Sequence, residues 1–267
     1  MPQIRELAER SVPPRGTVDR RQFLQAGAAI VGATLTTGCK SSFESTAPDV
    51  HLTARPGSPS LSPVLGSSRL GLEGGRDGVV YVPNGYTPDH PWPLIVALHG
   101  AGGSGDSWSS YPQRAEEAGF VFLAPDSRGQ TWDVALLGDY SLDPPFIDRA
   151  LKAVFERCRI DPTHIALAGF SDGASYALSL GISNGDLFTH LAGFSPGFLA
   201  PGGPAVGKPK VFISHGTRDP ILPVIRSREV IVPALRNLQY DVTFHEFDGV
   251  HEVPSEISAE AIAWAFA

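Results

Sequence analysis

The feature that most constrains this chain is the stretch Ile165-Ala166-Leu167-Ala168-Gly169-Phe170-Ser171-Asp172-Gly173-Ala174-Ser175-Tyr176. A short apolar run enters Gly-Phe-Ser-Asp-Gly, and a helical pattern of small and apolar residues (Ala174, Ala177, Leu178, Leu180) leaves it. Strand, tight turn and helix are predicted in that order, with a serine at the apex. A turn this sharp leaves no room for side chains beside the serine, which accounts for Gly169 and Gly173. The geometry holds Ser171 out at the carboxyl edge of a sheet, with the N–H of Asp172 opening a helix toward the same point.

The rest of the chain supplies that sheet. Gly78–Pro83, Pro93–His99, Phe120–Pro125, His190–Ser195, Pro209–Ser214 and Val242–Phe247 all read as strands. Pro93–His99 is continuously apolar, as expected of a strand buried on both faces. Helical patterns fall near 107–118, 145–158, 224–238 and 255–266, and Pro233 should kink or split the third. Alternating strands and helices predict an α/β fold: a mostly parallel sheet with helices on both faces and no large cap. Ligands then bind at the carboxyl ends of the strands.

A serine hydroxyl becomes a nucleophile only when an oriented base takes its proton. After Ser171, Asp219 is the acid that directly follows a buried strand, in Ile213-Ser214-His215-Gly216-Thr217-Arg218-Asp219. Two histidines lie beyond it. His245 falls inside a strand pattern, whereas His251 sits in the loop after that strand, so His251 is the expected base. His215 reads as support behind the acid or as loop packing. The oxyanion donors expected are the N–H groups of Asp172 and of Ala101, in the turn His99-Gly100-Ala101-Gly102-Gly103, with Gly102 the alternative donor or a substrate contact.

These segments resemble the phospholipase/carboxylesterase family of small α/β-hydrolases, with polyhydroxybutyrate depolymerase-like esterases as relatives. The resemblance rests on Leu98-His99-Gly100, Gly169–Gly173, His215-Gly216-Thr217-Arg218-Asp219 with Pro223, and Phe247-Asp248-Gly249-Val250-His251-Glu252. It spans about residue 78 to the end. It implies a cofactor-free serine esterase acting on a small-molecule or lipid-like ester, with Ser171, Asp219 and His251 as nucleophile, acid and base.

Three features invite other readings. Gly193-Phe194-Ser195-Pro196-Gly197 repeats the Gly-x-Ser-x-Gly pattern, but Pro196 has no N–H to offer an oxyanion and no helical pattern comes after it. Gly100-Ala101-Gly102-Gly103-Ser104-Gly105 imitates a dinucleotide-binding turn, with Asp126 about 20 residues on. That is the basis of the alternative, an NAD(P)-dependent oxidoreductase; a non-catalytic binding lipoprotein is the alternative outside the enzymes. Trp132, in an irregular stretch, is expected to line the acyl or alcohol pocket, ordinary packing being its other reading.

The amino-terminal part has a different character. Arg5, Arg10, Arg15, Arg20 and Arg21 precede an uncharged run from Phe23 to Gly38, shorter than the roughly 20 apolar residues that span a bilayer. This reads as an export signal over 1–38, and Arg20-Arg21-Gln22-Phe23-Leu24 resembles a twin-arginine motif. Cys39 closes the run like a lipidated cysteine, the alternative being ordinary signal cleavage nearby. Residues 39–68, rich in Ser, Pro and Thr, read as a flexible tether, and 69–267 as the catalytic domain. The expected location is the bacterial cell envelope or periplasm, on a lipid anchor. Net charge is −7 and no basic block lies beside aromatics, so nucleic acid is not an expected partner. Cys158 lies on a helical apolar stripe and reads as a small core residue. No metal-ligand spacing is found, and the sequence leaves the oligomeric state open.

Overall fold

The computed structural model describes residues 50–267. The export signal, Cys39 and the first part of the expected tether lie outside the described residues. Among the described residues no helix is long and apolar enough to cross a membrane.

Eight strands form one sheet: β1 (Gly66–Arg69), β2 (Gly78–Val82), β3 (Trp92–Leu98), β4 (Val121–Pro125), β5 (Ile160–Phe170), β6 (His190–Phe194), β7 (Lys210–Gly216) and β8 (Val242–Phe247). Their spatial order is β1-β2-β4-β3-β5-β6-β7-β8. The pairings β1–β2 and β2–β4 are antiparallel, and all others are parallel. The apolar runs of β3 and β5 put them in the middle, where each face needs burial. Alternation then divides their side chains. Leu94, Val96, Leu98, Ile165 and Leu167 enter one core, and Ile95, Ala97, Ala166 and Ala168 the other.

The helices are α1 (Tyr111–Ala118), α2 (Asp133–Leu137), α3 (Asp143–Phe155), α4 (Asp172–Ile182), α5 (Val232–Asn237) and α6 (Ser255–Ala265). α3, α4 and α5 cover the first face and α1 and α6 the second. Pro233 splits its helix as expected: a π-helical turn, Arg226–Ile231, runs into α5, where the proline takes an early position that needs no N–H donor. Cys158 is a buried member of the first core.

The tether over 39–68 needs correction from residue 50 onward. Val50, Leu52 and Ala54 are buried in the first core. Leu52 donates its N–H to the Asn184 side chain at 2.7 Å, and the Asn184 amide donates back to the Val50 carbonyl at 3.0 Å. Asp148 accepts from the Thr53 and Ala54 N–H groups, and β1 extends the sheet edge. The segment docks because every second residue from 50 to 54 is apolar and its polar backbone finds side-chain partners.

Candidate active site

Ser171 directly follows β5 and precedes α4 with φ +58° and ψ −119°, a strained conformation for a residue with a side chain. The flanking glycines are obligatory. A Cβ on Gly169 would lie 2.1 Å from the Gly173 carbonyl, and one on Gly173 would lie 2.2 Å from the carbonyl of Leu98. The Ser171 N–H donates to Phe194 O at 2.9 Å, fixing the turn to β6.

Asp219 follows β7 and His251 follows β8, and both loops bring their side chains back to Ser171. The Ser171 hydroxyl donates to His251 Nε2 at 2.9 Å, and His251 Nδ1–H donates to Asp219 Oδ2 at 2.6 Å. The His251 ring rests on Phe170, with centroids 4.7 Å apart. Burial favours protonation of Asp219, but donation from His251 and from the Leu222 and Ile221 N–H groups outweighs it. The carboxyl is therefore held below its ordinary value.

His215 supports the acid. It is fully buried, its Nε2–H lies 2.7 Å from the Leu222 carbonyl and 3.2 Å from Asp219 Oδ2, and its Nδ1 accepts from the Ser227 hydroxyl at 2.7 Å. Burial foremost lowers its pKa, so it stays neutral and presents a hydrogen to Asp219. His245 stands apart, paired with Glu260 at 3.3 Å and stacked on Phe212.

The glycine-rich turn packs against Ser171: a Cβ on Gly100 would sit 3.4 Å from the Ser171 Cβ. Gly102 donates its N–H to the Gln130 carbonyl at 2.7 Å, so it has no N–H left for an oxyanion. Ala101 makes no such bond among the described residues, and the Asp172 N–H opens α4. The N–H groups of Ala101 and Asp172 are thus both without an acceptor among the described residues. The Asp172 side chain is buried and accepts from the Thr131 hydroxyl at 2.8 Å; burial raises its pKa, and the Thr131 bond opposes this.

Trp132 needs correction as a substrate contact. Its side chain has no exposed surface; the ring lies between His99 and Tyr176, and Nε1–H donates to the His99 carbonyl at 2.8 Å. It braces the turn from behind. Ser195 shares the left-handed twist of Ser171, with φ +54°, but is fully buried and has no free N–H after it. The dinucleotide reading also fails on geometry. Both Asp126 oxygens already accept N–H groups, from Gly105 and Asp77, and the element directly after the glycines is a 3₁₀ turn (Gly105–Trp108), with α1 starting only at Tyr111. No group of three or more His, Cys, Asp or Glu side chains among the described residues could hold a metal ion.

Arg76, Ser127, Gln130 and Thr131, all in contact with the turn or with Asp172, escaped the sequence reading. They sit in loops without period, and only the Gly74-Gly75-Arg76-Asp77 turn hinted at a placed side chain.

The sequence matches the alpha/beta hydrolase family over residues 95–265. Feruloyl esterase C of Emericella nidulans is 29% identical over 160 residues, which cover 56% of this chain and 57% of that protein. Feruloyl esterase B of Piromyces equi is 30% identical over 124 residues, 44% of this chain and 23% of its own. The chain thus matches little more than half the length of the first of these relatives, and less of the second. Among solved structures, esterase PE8 has a TM-score of 0.59 at 24% identity, covering 70% of this chain and 96% of its own. The ferulic acid esterase AmCE1/Fae1A of Anaeromyces mucronatus has a TM-score of 0.55 at 20% identity, covering 82% and 94%. Those likenesses are of fold. The chain belongs to the alpha/beta hydrolase family.

Proposed function

We propose that this protein is a serine esterase that cleaves carboxylic esters through an acyl-enzyme on Ser171. The observation that carries the reading is the unbroken hydrogen-bonded chain from Ser171 Oγ through His251 to Asp219. In this mechanism His251 Nε2 takes the hydroxyl proton as Ser171 Oγ attacks the ester carbonyl, and Asp219 stabilises the imidazolium that forms. The Ala101 and Asp172 N–H groups receive the oxyanion, each such donor contributing about 3 kcal/mol. The tetrahedral intermediate expels the alcohol, which takes the proton from His251. Water then attacks the acyl-enzyme by the same route, returning Ser171 and releasing the acid.

The rim of the site favours an apolar substituent on the ester. Ile221, whose N–H binds the acid, and Val250, which precedes the base, are 56% and 46% exposed. Since curated relatives are feruloyl esterases, aryl-acid esters belong in the first panel. Within the family we place the chain beside the small carboxylesterases. We also propose export to the bacterial cell envelope and lipidation at Cys39. With the domain begun by Val50, only ten residues lie between the two, a reach of at most about 40 Å. Recovery of Cys39→Ala in the soluble fraction, with wild type in the membrane, is the expected result; equal partition would refute the anchor.

The test of the activity is burst kinetics on p-nitrophenyl acetate, butyrate, octanoate and ferulate. Wild type is expected to give a burst and then turnover, and Ser171→Ala neither. A folded wild type without turnover and without labelling by a fluorophosphonate would overturn the esterase reading, and would leave the non-catalytic binding alternative.

A further inference from the structure

The donor expected from Ala101 depends on how one peptide unit is turned. The N–H of Ala101 and the C=O of Gly100 belong to the same trans peptide plane and point in opposite directions. Whatever holds the Gly100 carbonyl away from the site therefore aims the Ala101 N–H toward it. In a turn this rich in glycine, little in the backbone itself prevents the opposite orientation.

Two donors hold that carbonyl: the Gly103 N–H at 3.0 Å and His99 Nδ1 at 2.7 Å. His99 can donate from Nδ1 only as the Nδ1–H tautomer, or as the cation. Its other nitrogen, Nε2, accepts the Ser127 N–H at 3.0 Å and lies 3.1 Å from Arg76 Nη2. A guanidinium can only donate, so Nε2 must be the bare nitrogen and Nδ1 must carry the hydrogen. His99 is 1% exposed. The same arginine also donates to the Gly103 carbonyl at 2.7 Å and, from Nε, to the Ser127 carbonyl at 2.6 Å. It therefore clamps the far end of the turn as well as setting the histidine.

The arginine is itself well placed. The neighbouring Asp77 carboxylate accepts the N–H groups of Gly71 and Leu72, and the Asp77 N–H donates to Asp126. This fixes the connection between β1 and β2 from which Arg76 projects.

We propose that Arg76 is a positioning residue for the oxyanion hole: it fixes His99 as the Nδ1–H tautomer, which turns the Gly100–Ala101 peptide so that its N–H faces Ser171. This rests on the esterase reading for its kinetic consequence, but not for its structural one. Arg76 touches neither the substrate nor Ser171; it acts through His99 and the turn.

The test combines kinetics with a direct view of the proton. Wild type, Arg76→Met and Arg76→Lys are assayed on an aryl ester and on the matching thionoester, whose sulfur is a poor acceptor for oxyanion-hole donors. Arg76→Met is expected to lower kcat on the ester about ten-fold, part of the roughly 100-fold to 1,000-fold effect of losing one donor, with KM within about two-fold. The thionoester should lose much less, so the ester-to-thionoester ratio collapses, and Arg76→Lys should recover part of it. Equal losses on both substrates, or wild-type kcat in Arg76→Met, would overturn the proposal. Should Arg76→Met fail to fold, Arg76→Lys is read by the same ratio. Long-range 15N–1H correlation spectra of wild type and Arg76→Met decide the structural step without any activity: the proton of His99 is expected on Nδ1 in wild type and shared between Nδ1 and Nε2 in Arg76→Met, and a proton on Nε2 in wild type, or one still wholly on Nδ1 in Arg76→Met, would overturn the proposal. An inactive wild type would sink the esterase reading alone, with the His99 spectrum still deciding the role of Arg76.

Discussion

Replacing Gly173 by alanine tests the site geometry with a single methyl group. The new Cβ would lie 2.2 Å from the Leu98 carbonyl oxygen, 2.5 Å from that of His99 and 2.6 Å from the Leu98 carbonyl carbon, all backbone atoms. Contacts under 3.0 Å are essentially never seen, so the start of α4 and the end of β3 must separate by about 1 Å. Alanine would gain about 1 kcal/mol over glycine in helix propensity, whereas overpacking against rigid backbone costs about 1–3 kcal/mol. With three backbone contacts this short the cost lies in the upper part of that range, so the clash wins by about 1–2 kcal/mol and Tm is expected to fall by about 2–8 °C in a domain of this size. The larger effect is on catalysis. The seam that opens lies between Asp172 and the turn bearing Ala101, so the two donors move apart. A misplacement of about 1 Å costs on the order of 100-fold, and kcat on p-nitrophenyl acetate should drop by about that factor. Gly181→Ala is the control in the same helix: the three atoms nearest its Cβ would all belong to the flexible Leu191 side chain, Cδ2 at 2.2 Å first. Some loss of Tm with kcat within about two-fold is expected there. A folded Gly173→Ala with kcat within about three-fold of wild type would refute the reasoning.

Ser195→Ala and His245→Gln should each keep kcat within about three-fold of wild type, since one side chain is wholly buried and the other is paired with Glu260; loss of turnover in either would reopen the choice of nucleophile or base. His190 is pushed down to about 4, by burial first and then by Lys210 and His164. The unfolded state therefore takes up a proton near pH 6.5 that the folded state refuses, and stability falls as pH drops through that window. The effect is about 2 kcal/mol by pH 5. The Tm difference between pH 7.5 and 5 should shrink in His190→Phe, and an unchanged difference would count against it. Cys158 is 1% exposed and its thiol is pushed up to about 12. Alkylation of its peptide should follow unfolding in urea, and rapid labelling of native protein would contradict the burial.

What was legible in the sequence is what local pattern dictates. The apolar runs of β3 and β5 announce central strands because burial on both faces leaves no room for polar residues. Asp219 and His251 could be placed because each directly follows a strand, and parallel strands deliver all their carboxyl ends to one edge. What was not legible depends on partners far along the chain. Val50, Leu52 and Ala54 are apolar at every second position, yet the Ser- and Pro-rich surroundings concealed a segment held by Asn184 and Asp148. Trp132 looked like a pocket residue because the helix after it is only five residues long. That helix is stable because Asp133 and Asp143 accept each other's N–H groups, across a gap with no period to read.

The two serines in Gly-x-Ser-x-Gly show why turn shape alone is insufficient. Both stand at the end of a central strand with φ near +55°, because each chain must turn sharply away from the sheet at that edge. One is succeeded by Asp172, whose N–H opens a helix of 11 residues, and faces a loop that returns a histidine at 2.9 Å. The other is succeeded by a proline and is sealed beneath the surface, its hydroxyl without a hydrogen-bond partner among the described residues. The strained turn presents an atom; the next residue and the neighbouring loops determine whether an oxyanion donor and a base can reach that atom. Exchanging Pro196 for alanine would restore an N–H after Ser195 but neither a base nor access, so Ser171→Ala/Pro196→Ala is expected to remain inactive in the burst assay. Turnover in that double variant would show that the donor after the serine, and not the His251 loop, decides which serine reacts.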